Sequence, residues 1–358
     1  MKKTSGEKLK ELLLGYIERN GNKMDDSAFL EIASEIFSFQ RKHNHVYKDY
    51  LKETGFRKRT IKKLSDIPPF PEAGFKITES AAFNPSSAER VFVTSGTTTG
   101  AGGRHFVRDL DIYRRSIDNS FGAFCMNGRK KMPMLSMIPP GELRRDSSLS
   151  FMTSHVIERF GAKGSGFYSS GSGIEELLDA LRIGSRSNEP VMLLGTAIDF
   201  HNLCKAAEMN KEAAVLPENS LVFETGGFKG RKEAISKKAL YEKIKEVFNV
   251  GEEQIIGEFG MTELLSQAYD VVSQFKRERY FLPASTLSVR VVNPLTLEDA
   301  AEGEEGLIVH YDICNIYTNA AILTGDAGVR VGGGFIVKGR AMYAEPRGCS
   351  LDAGSRDE

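Results

Sequence analysis

Short apolar runs that alternate with amphipathic helices constrain the fold of this chain most strongly. Residues 190–198 form an almost wholly apolar run, and a helical pattern over 200–208 follows it. An amphipathic helix over 237–248 separates a second apolar run, 220–225, from a third short strand at 254–257. Strands that are apolar along their whole length are typical of a parallel sheet with helices on both faces. The pattern predicts an α/β fold with a doubly wound or mixed sheet, whose strand ends carry the functional loops.

The regions on either side have different patterns. Apolar residues recur at helical spacing over 5–53, and Pro68, Pro69 and Pro71 then require an extended connector. After residue 280, short strands are separated by Asn-Pro, Glu-Gly and Gly-Asp turns. We therefore predict four parts of the chain: an N-terminal helical region over 1–66, an α/β core over 67–280, a small β subdomain over 281–342 and a mobile tail over 343–358.

Composition argues against several classes of function. Lys plus Arg and Asp plus Glu both number 48, so the overall charge does not indicate a nucleic acid partner. No apolar run approaches the roughly 20 residues of a membrane-spanning helix, and the N-terminus does not resemble a signal peptide. Cys125, Cys204, Cys314 and Cys349 form no CxxC pair, which argues against a zinc knuckle or a disulfide framework. We expect a cytoplasmic protein that acts on a small molecule or on another protein.

Residues 91–105, with the sequence VFVTSGTTTGAGGRH, have the composition of an anion-binding loop. We expect a buried strand and then a loop with little side-chain bulk, so that backbone N–H groups can approach an anion closely. The loop is not a Walker P-loop, because no Lys-Ser or Lys-Thr follows the glycines. Its hydroxyl groups, from Thr94 to Thr99, can donate to phosphate oxygens. We predict a phosphate site here, and a flexible surface turn is the alternative interpretation.

Four short motifs together resemble the adenylate-forming acyl-ligase (ANL) superfamily. They are TSGTTTG at 94–100, FGMTE at 259–263, TGD at 324–326 and GR at 339–340. Within the superfamily the chain is most similar to the acyl-protein synthetases of the LuxE type. Four further segments support this: PPFPEAGFK at 68–76, SSLSFM at 147–152, ETGGFKGR at 224–231 and RGCSL at 347–351. The resemblance covers about residues 66–351.

This resemblance implies the large-domain architecture of adenylate-forming ligases and an activity that uses ATP and Mg²⁺. Such enzymes activate a carboxylic acid, here expected to be a fatty acid, as an acyl-AMP and release pyrophosphate. In LuxE-type members the acyl group then passes to a cysteine and is delivered to a partner reductase. Only eighteen residues follow Arg340, so we expect most of the mobile C-terminal domain of acyl-CoA ligases to be absent.

The resemblance also implies roles for individual residues. The phosphate loop would comprise Ser95, Gly96, Thr97, Thr98 and Gly100, which would bind the β- and γ-phosphates. The adenine side would comprise Gly226, Gly227, Phe259, Gly260 and Met261, with the Phe259 ring stacked on the base. The remaining assignments are Thr262 for the α-phosphate, Glu263 for Mg²⁺, Asp326 and Arg340 for the ribose, His155 beside the acid carboxylate, and Cys349 as the acyl acceptor.

The chain departs from the superfamily at the phosphate loop, which usually carries a lysine soon after the glycines. Here that segment reads AGGRH, so Arg104 or Arg108 would have to supply the charge, and Arg and Lys are not equivalent there. Lys76 is interpreted as a solvated charge. Cys349 lies within reach of an active-site mouth on an extended tail, and Arg347 would favour its thiolate.

Two other functions remain open. An adenylating enzyme could pass the acyl group to an external acceptor such as coenzyme A, a carrier protein or an amine. The chain could instead be a nucleotide-binding subunit without turnover in a reductase complex, which the altered segment AGGRH would favour.

Overall fold

A computed structural model of the chain describes residues 3–58, 60–94, 102–169, 172–209, 215–226, 235–272 and 279–341. Within this part the helices are α1 (Ser5–Asn20), α2 (Asp26–His43), α3 (His45–Glu53), α4 (Gly74–Ile77), α5 (Leu110–Cys125), α6 (Ser148–Phe160), α7 (Gly173–Ser187), α8 (Ala197–Met209) and α9 (Lys237–Phe248). Short 3-10 helices lie at Leu64–Asp66, Pro85–Ser87 and Glu252–Gln254. None of the described helices is long and apolar enough to cross a membrane.

The strands of the described residues form one large sheet and one small one. They are β1 (Phe70–Pro71), β2 (Arg90–Val93), β3 (Arg104–Val107), β4 (Met134–Ser136), β5 (Gly166–Phe167), β6 (Met192–Thr196), β7 (Leu221–Thr225), β8 (Ile255–Phe259), β9 (Ala268–Val272), β10 (Arg279–Pro283), β11 (Leu287–Val292), β12 (Glu305–Asp312), β13 (Ala321–Val331) and β14 (Gly334–Arg340). The large sheet has the order β11-β12-β13-β14-β10-β9-β8-β7-β6-β4-β5, and β1 pairs with β13 outside this path.

One half of the large sheet is parallel. Strands β5, β4, β6, β7 and β8 run in the same direction, and β6 and β7 have almost no exposed side chains. Helices α7, α8 and α9 pack on one side of them around buried residues that include Leu177, Phe200 and Ile244. Burial on both faces explains why these strands read as continuous apolar runs. The predicted α/β fold is confirmed.

The other half of the sheet is antiparallel and packs with the N-terminal helices. Strands β8 through β14 pair in antiparallel fashion, and α1 to α3 share a core with them through Tyr16, Ile36 and Tyr47. Polar contacts reinforce this packing, since the buried Gln40 side chain donates to the Asn315 carbonyl at 2.6 Å. The strands of the predicted β subdomain thus continue the large sheet, and the division into four parts stays a prediction.

Side-chain caps explain several helix starts. Thr4 and Glu7 form a capping box at α1, and Asp25 accepts from two backbone N–H groups at the start of α2. Asp109 and Ser147 cap α5 and α6. Helix α9 has the predicted bounds, whereas α7 and strands β3, β5, β9 and β10 have no counterpart among the predicted elements.

The strand before the phosphate loop differs from the expectation. We expected a buried strand, but β2 pairs only with β3 in a separate two-stranded sheet, and of its residues only Phe92 is fully buried. A hairpin has one face toward the core and one toward solvent, which explains the partial exposure. The loop therefore connects two antiparallel strands rather than a parallel strand and a helix.

Candidate active site

Asp326 and Arg340 face each other across the pair β13–β14. The two residues are register partners, and Arg340 Nη1 lies 3.2 Å from Asp326 Oδ1. The same nitrogen lies 3.0 Å from Glu72 Oε2, and that carboxylate also accepts from the Gly325 N–H at 3.2 Å. Glu72 and Asp326 are mostly buried. We name this cluster of Glu72, Asp326 and Arg340 the carboxylate–arginine cluster.

Neighbouring segments hold the carboxylate–arginine cluster in place. Strand β1 pairs in parallel with β13, and the Glu72 N–H donates to the Leu323 carbonyl at 2.9 Å. Burial lowers the pKa of Arg340, but Glu72 and Asp326 outweigh it and raise that pKa above its usual value. Arg340 thus stays charged between the two carboxylates. The sequence does not identify Glu72 as a site residue, although Glu72 lies in the motif over 68–76.

The FGMTE segment begins with Phe259, the last residue of β8, and continues into a turn. The Thr262 carbonyl lies 2.7 Å from Nδ1 of the buried His105, and the Glu263 carbonyl accepts from Asn315 Nδ2 at 2.8 Å. Burial lowers the pKa of His105 to about 4, so the ring is neutral near pH 7. Both contacts fix backbone atoms of the turn. His105 and Asn315 are further residues that sequence reasoning missed, because no local pattern links them to the turn.

The Phe259 ring at the end of β8 packs within an aromatic group. Its centroid lies 5.6 Å from that of Phe281, 5.4 Å from that of Phe335 and 5.4 Å from that of His310. The ring is half-buried, so part of its surface stays accessible. Gly226, at the end of the neighbouring β7, has a φ of 72°, a conformation that favours glycine. Gly227 lies outside the described residues.

A buried carboxyl group lies beneath this turn. Thr225 donates a hydrogen bond to Glu258, and a Cβ added to Gly260 would lie 2.5 Å from Glu258 Oε1. Burial, together with the nearby Glu224, raises the pKa of Glu258 to about 7 against the opposing effects of Thr225 and Lys237. This carboxyl group therefore changes charge near neutral pH. It was not among the predicted residues.

The base of the phosphate loop is described, whereas the loop itself is not. Thr94 and Gly103 exchange two hydrogen bonds, N–H to carbonyl and N–H to hydroxyl, each at 2.8 Å. A Cβ on Gly102 would lie 2.4 Å from the Thr94 carbonyl oxygen, so a glycine is required there. The predicted residues Ser95, Gly96, Thr97, Thr98 and Gly100 lie outside the described residues.

Neither arginine after the loop is free of protein partners. Arg104 pairs with Glu79 at 3.0 Å and lies over the Phe106 ring at 5.3 Å. Arg108 lies over the rings of Phe83 and Tyr317, at 5.4 and 5.6 Å. That Arg104 or Arg108 replaces the lysine usual in this loop of the superfamily stays a prediction. These contacts do show that both side chains already have other interactions.

The remaining predicted residues are His155 and the cysteines. His155 lies on α6, and its Nε2 contacts Asp118 Oδ1 on α5 at 2.8 Å, so its role beside the acid stays a prediction. Cys349 lies outside the described residues. Cys125, Cys204 and Cys314 are buried, as expected for core residues, and burial raises the pKa of each thiol.

The predicted Mg²⁺ ligand of the site is Glu263. Within the described residues, no group of three or more His, Cys, Asp or Glu side chains could hold a metal ion. Mg²⁺ is commonly bound by one or two carboxylates together with substrate phosphates and water, so a single carboxylate fits this use. Glu263 follows the FGMT turn and has 3% of its surface exposed. The donor set is therefore compatible with Mg²⁺ that arrives with a nucleotide.

Comparisons with known proteins give the family and the fold of the chain. The profile of a family described as "Acyl-protein synthetase, LuxE" matches residues 22–355. A 2-hydroxyisobutyryl-CoA ligase in complex with 2-HIB-AMP has a similar fold, with a TM-score of 0.68 and 14% identity over 90% of this chain and 70% of that chain. Its open conformation, in complex with 2-HIB-AMP and CoA, gives a TM-score of 0.67 and 15% identity over 90% and 77% of the two chains.

A more distant similarity is found with ATP-bound MatB from Rhodopseudomonas palustris. The TM-score is 0.51 and the identity 15%, over 72% of this chain and 49% of that chain. No curated protein matches the sequence. At these identities the structural similarity shows a shared fold.

Proposed function

Since the chain belongs to the LuxE family of acyl-protein synthetases and is thus an acid–thiol ligase, we propose that it activates a carboxylic acid with ATP and moves the acyl group to Cys349. The carboxylate–arginine cluster carries the proposal. It brings the TGD and GR motifs of the consecutive strands β13 and β14 together with Glu72, which is distant in sequence, through the contacts of Arg340 with Asp326 and Glu72. Two of the similar structures hold an acyl adenylate and another holds ATP, which supports the same chemistry.

In the first half-reaction, a carboxylate oxygen of the acid attacks the α-phosphorus of ATP. The bond from that phosphorus to the bridging oxygen breaks, and pyrophosphate leaves. Asp326 accepts hydrogen bonds from the ribose hydroxyls, while Arg340 holds the Asp326 carboxylate in position. Phe259 stacks on the adenine, and the Thr262 hydroxyl donates to the α-phosphate. His105 contributes by fixing the Thr262 carbonyl.

Glu263 would hold Mg²⁺ in this proposal. The ion supplies positive charge that stabilises the departing pyrophosphate. The loop hydroxyls and N–H groups over 95–100 bind the β- and γ-phosphates. His155, which Asp118 contacts at 2.8 Å, lies beside the acid carboxylate.

In the second half-reaction, the Cys349 thiolate attacks the acyl carbon of the adenylate. A thioester forms, and AMP leaves with one oxygen of the original carboxylate. The three described cysteines are poor candidates for this step, because burial disfavours their thiolates. The thioester then supplies a partner reductase. A fatty acid is the substrate class that the family resemblance favours.

Incubation of the protein with ATP, Mg²⁺ and a radioactive fatty acid tests the proposal. We expect pyrophosphate and AMP to form and the protein to carry an acyl adduct at Cys349, identified by mass spectrometry. Cys349→Ser should still exchange pyrophosphate into ATP but should carry no thioester. Labelling that persists unchanged in Cys349→Ser would refute the assignment of that residue. Acid-dependent pyrophosphate formation without any adduct would indicate an external acceptor.

A further inference from the structure

The segment 70–76 runs between the carboxylate–arginine cluster and the base of the phosphate loop. At its start, β1 pairs with β13 and Glu72 contacts Arg340. At its end, the Phe75 ring is fully buried and lies edge-on to the His105 ring, with centroids 6.1 Å apart. His105 in turn holds the Thr262 carbonyl. One short segment therefore contacts residues that belong to or position three predicted nucleotide-binding motifs, TGD, GR and FGMTE.

Lys76 follows Phe75 and lies against the base of the phosphate loop. A Cβ added to Gly103 would lie 3.5 Å from Lys76 Cγ, and the Thr94 methyl group borders the same position at 3.4 Å. The buried Phe75 and the short helix α4 hold the backbone here, and the Lys76 stem lies beside this base as far as Cγ. The side chain continues beyond Cγ to its ammonium group, and the residue as a whole is exposed to solvent.

The charges around the loop base favour Lys76 as a ligand for an anion. Arg104 already pairs with Glu79, and Arg108 lies over two aromatic rings. No carboxylate in the described part of the chain pairs with the Lys76 ammonium. An ammonium gains most from an anion that brings several charged oxygens, as a triphosphate does.

We propose that Lys76 binds the β- and γ-phosphates of ATP and so performs the role of the lysine that the phosphate loop lacks. This inference rests on the proposed adenylation, and it replaces both the expectation of a solvated charge and the assignment to Arg104 or Arg108. AMP has no β- and γ-phosphates. Lys76 therefore contributes to the binding of ATP and pyrophosphate but not to the binding of AMP.

The test compares Lys76→Met with Lys76→Arg and with Lys52→Met, which removes an exposed lysine from the last turn of α3. A charged hydrogen bond contributes about 1.5–3 kcal/mol, so Lys76→Met should weaken ATP binding by roughly 10- to 100-fold. AMP binding should stay at the wild-type value in all three variants. Lys76→Arg should recover part of the ATP affinity, and Lys52→Met should resemble the wild type. Calorimetric titration with ATP and with AMP, both with Mg²⁺, gives these constants directly.

A second measurement does not depend on the substituted proteins. Mass spectrometry of the wild type after lysine acetylation should show that ATP protects Lys76 while AMP does not. Equal loss of ATP and AMP affinity in Lys76→Met, or unchanged ATP affinity, would overturn the inference. In that case acid-dependent pyrophosphate exchange by the wild type would leave the proposed function intact. Absence of ATP binding by the wild type would overturn both.

Discussion

The carboxylate–arginine cluster and the base of the phosphate loop balance charge in opposite ways. In the cluster, Arg340 is neutralised by Glu72 and Asp326, and paired strands hold the cluster at both ends. At the loop base, Lys76 lies against Gly103, and no carboxylate of the described residues pairs with it. Arg340 thus has its counter-charges within the protein, whereas Lys76 gains its counter-charge from the bound nucleotide.

Because of this difference, substitutions in the two regions should affect the binding of ATP and AMP in different ways. Ligands that contain ribose, including AMP, depend on the carboxylate–arginine cluster. Only ligands with β- and γ-phosphates depend on Lys76. Substitutions in the cluster should therefore change ATP and AMP affinity together, and substitutions at the loop base should change ATP affinity alone.

The largest effect is expected for Arg340→Met. Without the guanidinium, Glu72 and Asp326 would lose the positive charge that lies between them in a mostly buried site, which disrupts the position of Asp326. We expect AMP and ATP affinity to fall together by about 100-fold, or about 2.7 kcal/mol. Arg330→Met, at an exposed position on the same strand pair, is the matched control and should bind both nucleotides normally. Loss of ATP affinity with normal AMP affinity would contradict the distinction between the two regions.

The next effect concerns Glu258, which lies beneath the FGMTE turn. Burial raises its pKa from 4.5 to about 7, so the folded protein holds a proton that the unfolded chain has already released. The stability that this proton contributes is lost as the pH rises. Between about pH 5 and about pH 7 the free energy of unfolding should fall by about 2 kcal/mol on this account.

Glu258→Gln removes this titration while keeping a side chain of similar shape. Urea unfolding should show that the difference in stability between the variant and the wild type moves in favour of the variant as pH rises through this range. Using the difference cancels other titrating groups such as Asp312, whose pKa burial raises to about 6. Glu246→Gln, at an exposed site on α9, should follow the wild type. A constant difference between Glu258→Gln and wild type would show that Glu258 is ionised throughout.

A smaller effect is expected for Glu72→Gln. The amide keeps the size of the side chain but loses the charge that holds Arg340 and the Gly325 N–H. ATP and AMP affinity should each fall by roughly 10-fold, about 1.4 kcal/mol. Glu79→Gln is the matched comparison, because its partner Arg104 is exposed and such pairs contribute little. Equal effects of the two substitutions would argue against a positioning role for Glu72.

The carboxylate–arginine cluster was partly predictable from sequence. Asp326 and Arg340 lie on consecutive strands, and a hairpin pairs residues at such spacing directly. Glu72 could not be placed, because β1 joins β13 across about 250 residues and only the folded chain shows that pairing. The burial of Glu258 likewise depends on the pairing of β8 with the adjacent β7, which only the folded chain shows.

The same limits apply to the rest of the fold. The apolar runs at β6 and β7 predicted buried parallel strands because both of their faces are covered. The hairpin β2–β3 was not predicted, since its second strand, RHFV, begins with two polar residues and follows a glycine-rich segment. Lys76 reads as an ordinary surface charge until its neighbour Gly103 is known.

The central claim, that the chain forms an acyl adenylate, is tested most directly by following an isotope. A carboxylic acid labelled with oxygen-18 in its carboxylate is incubated with the protein, ATP and Mg²⁺, and the products are analysed by mass spectrometry. If an acyl-AMP forms and its acyl group moves to the thiol, the released AMP carries one oxygen-18 atom and pyrophosphate carries none. AMP without label, or label in inorganic phosphate, would contradict the account.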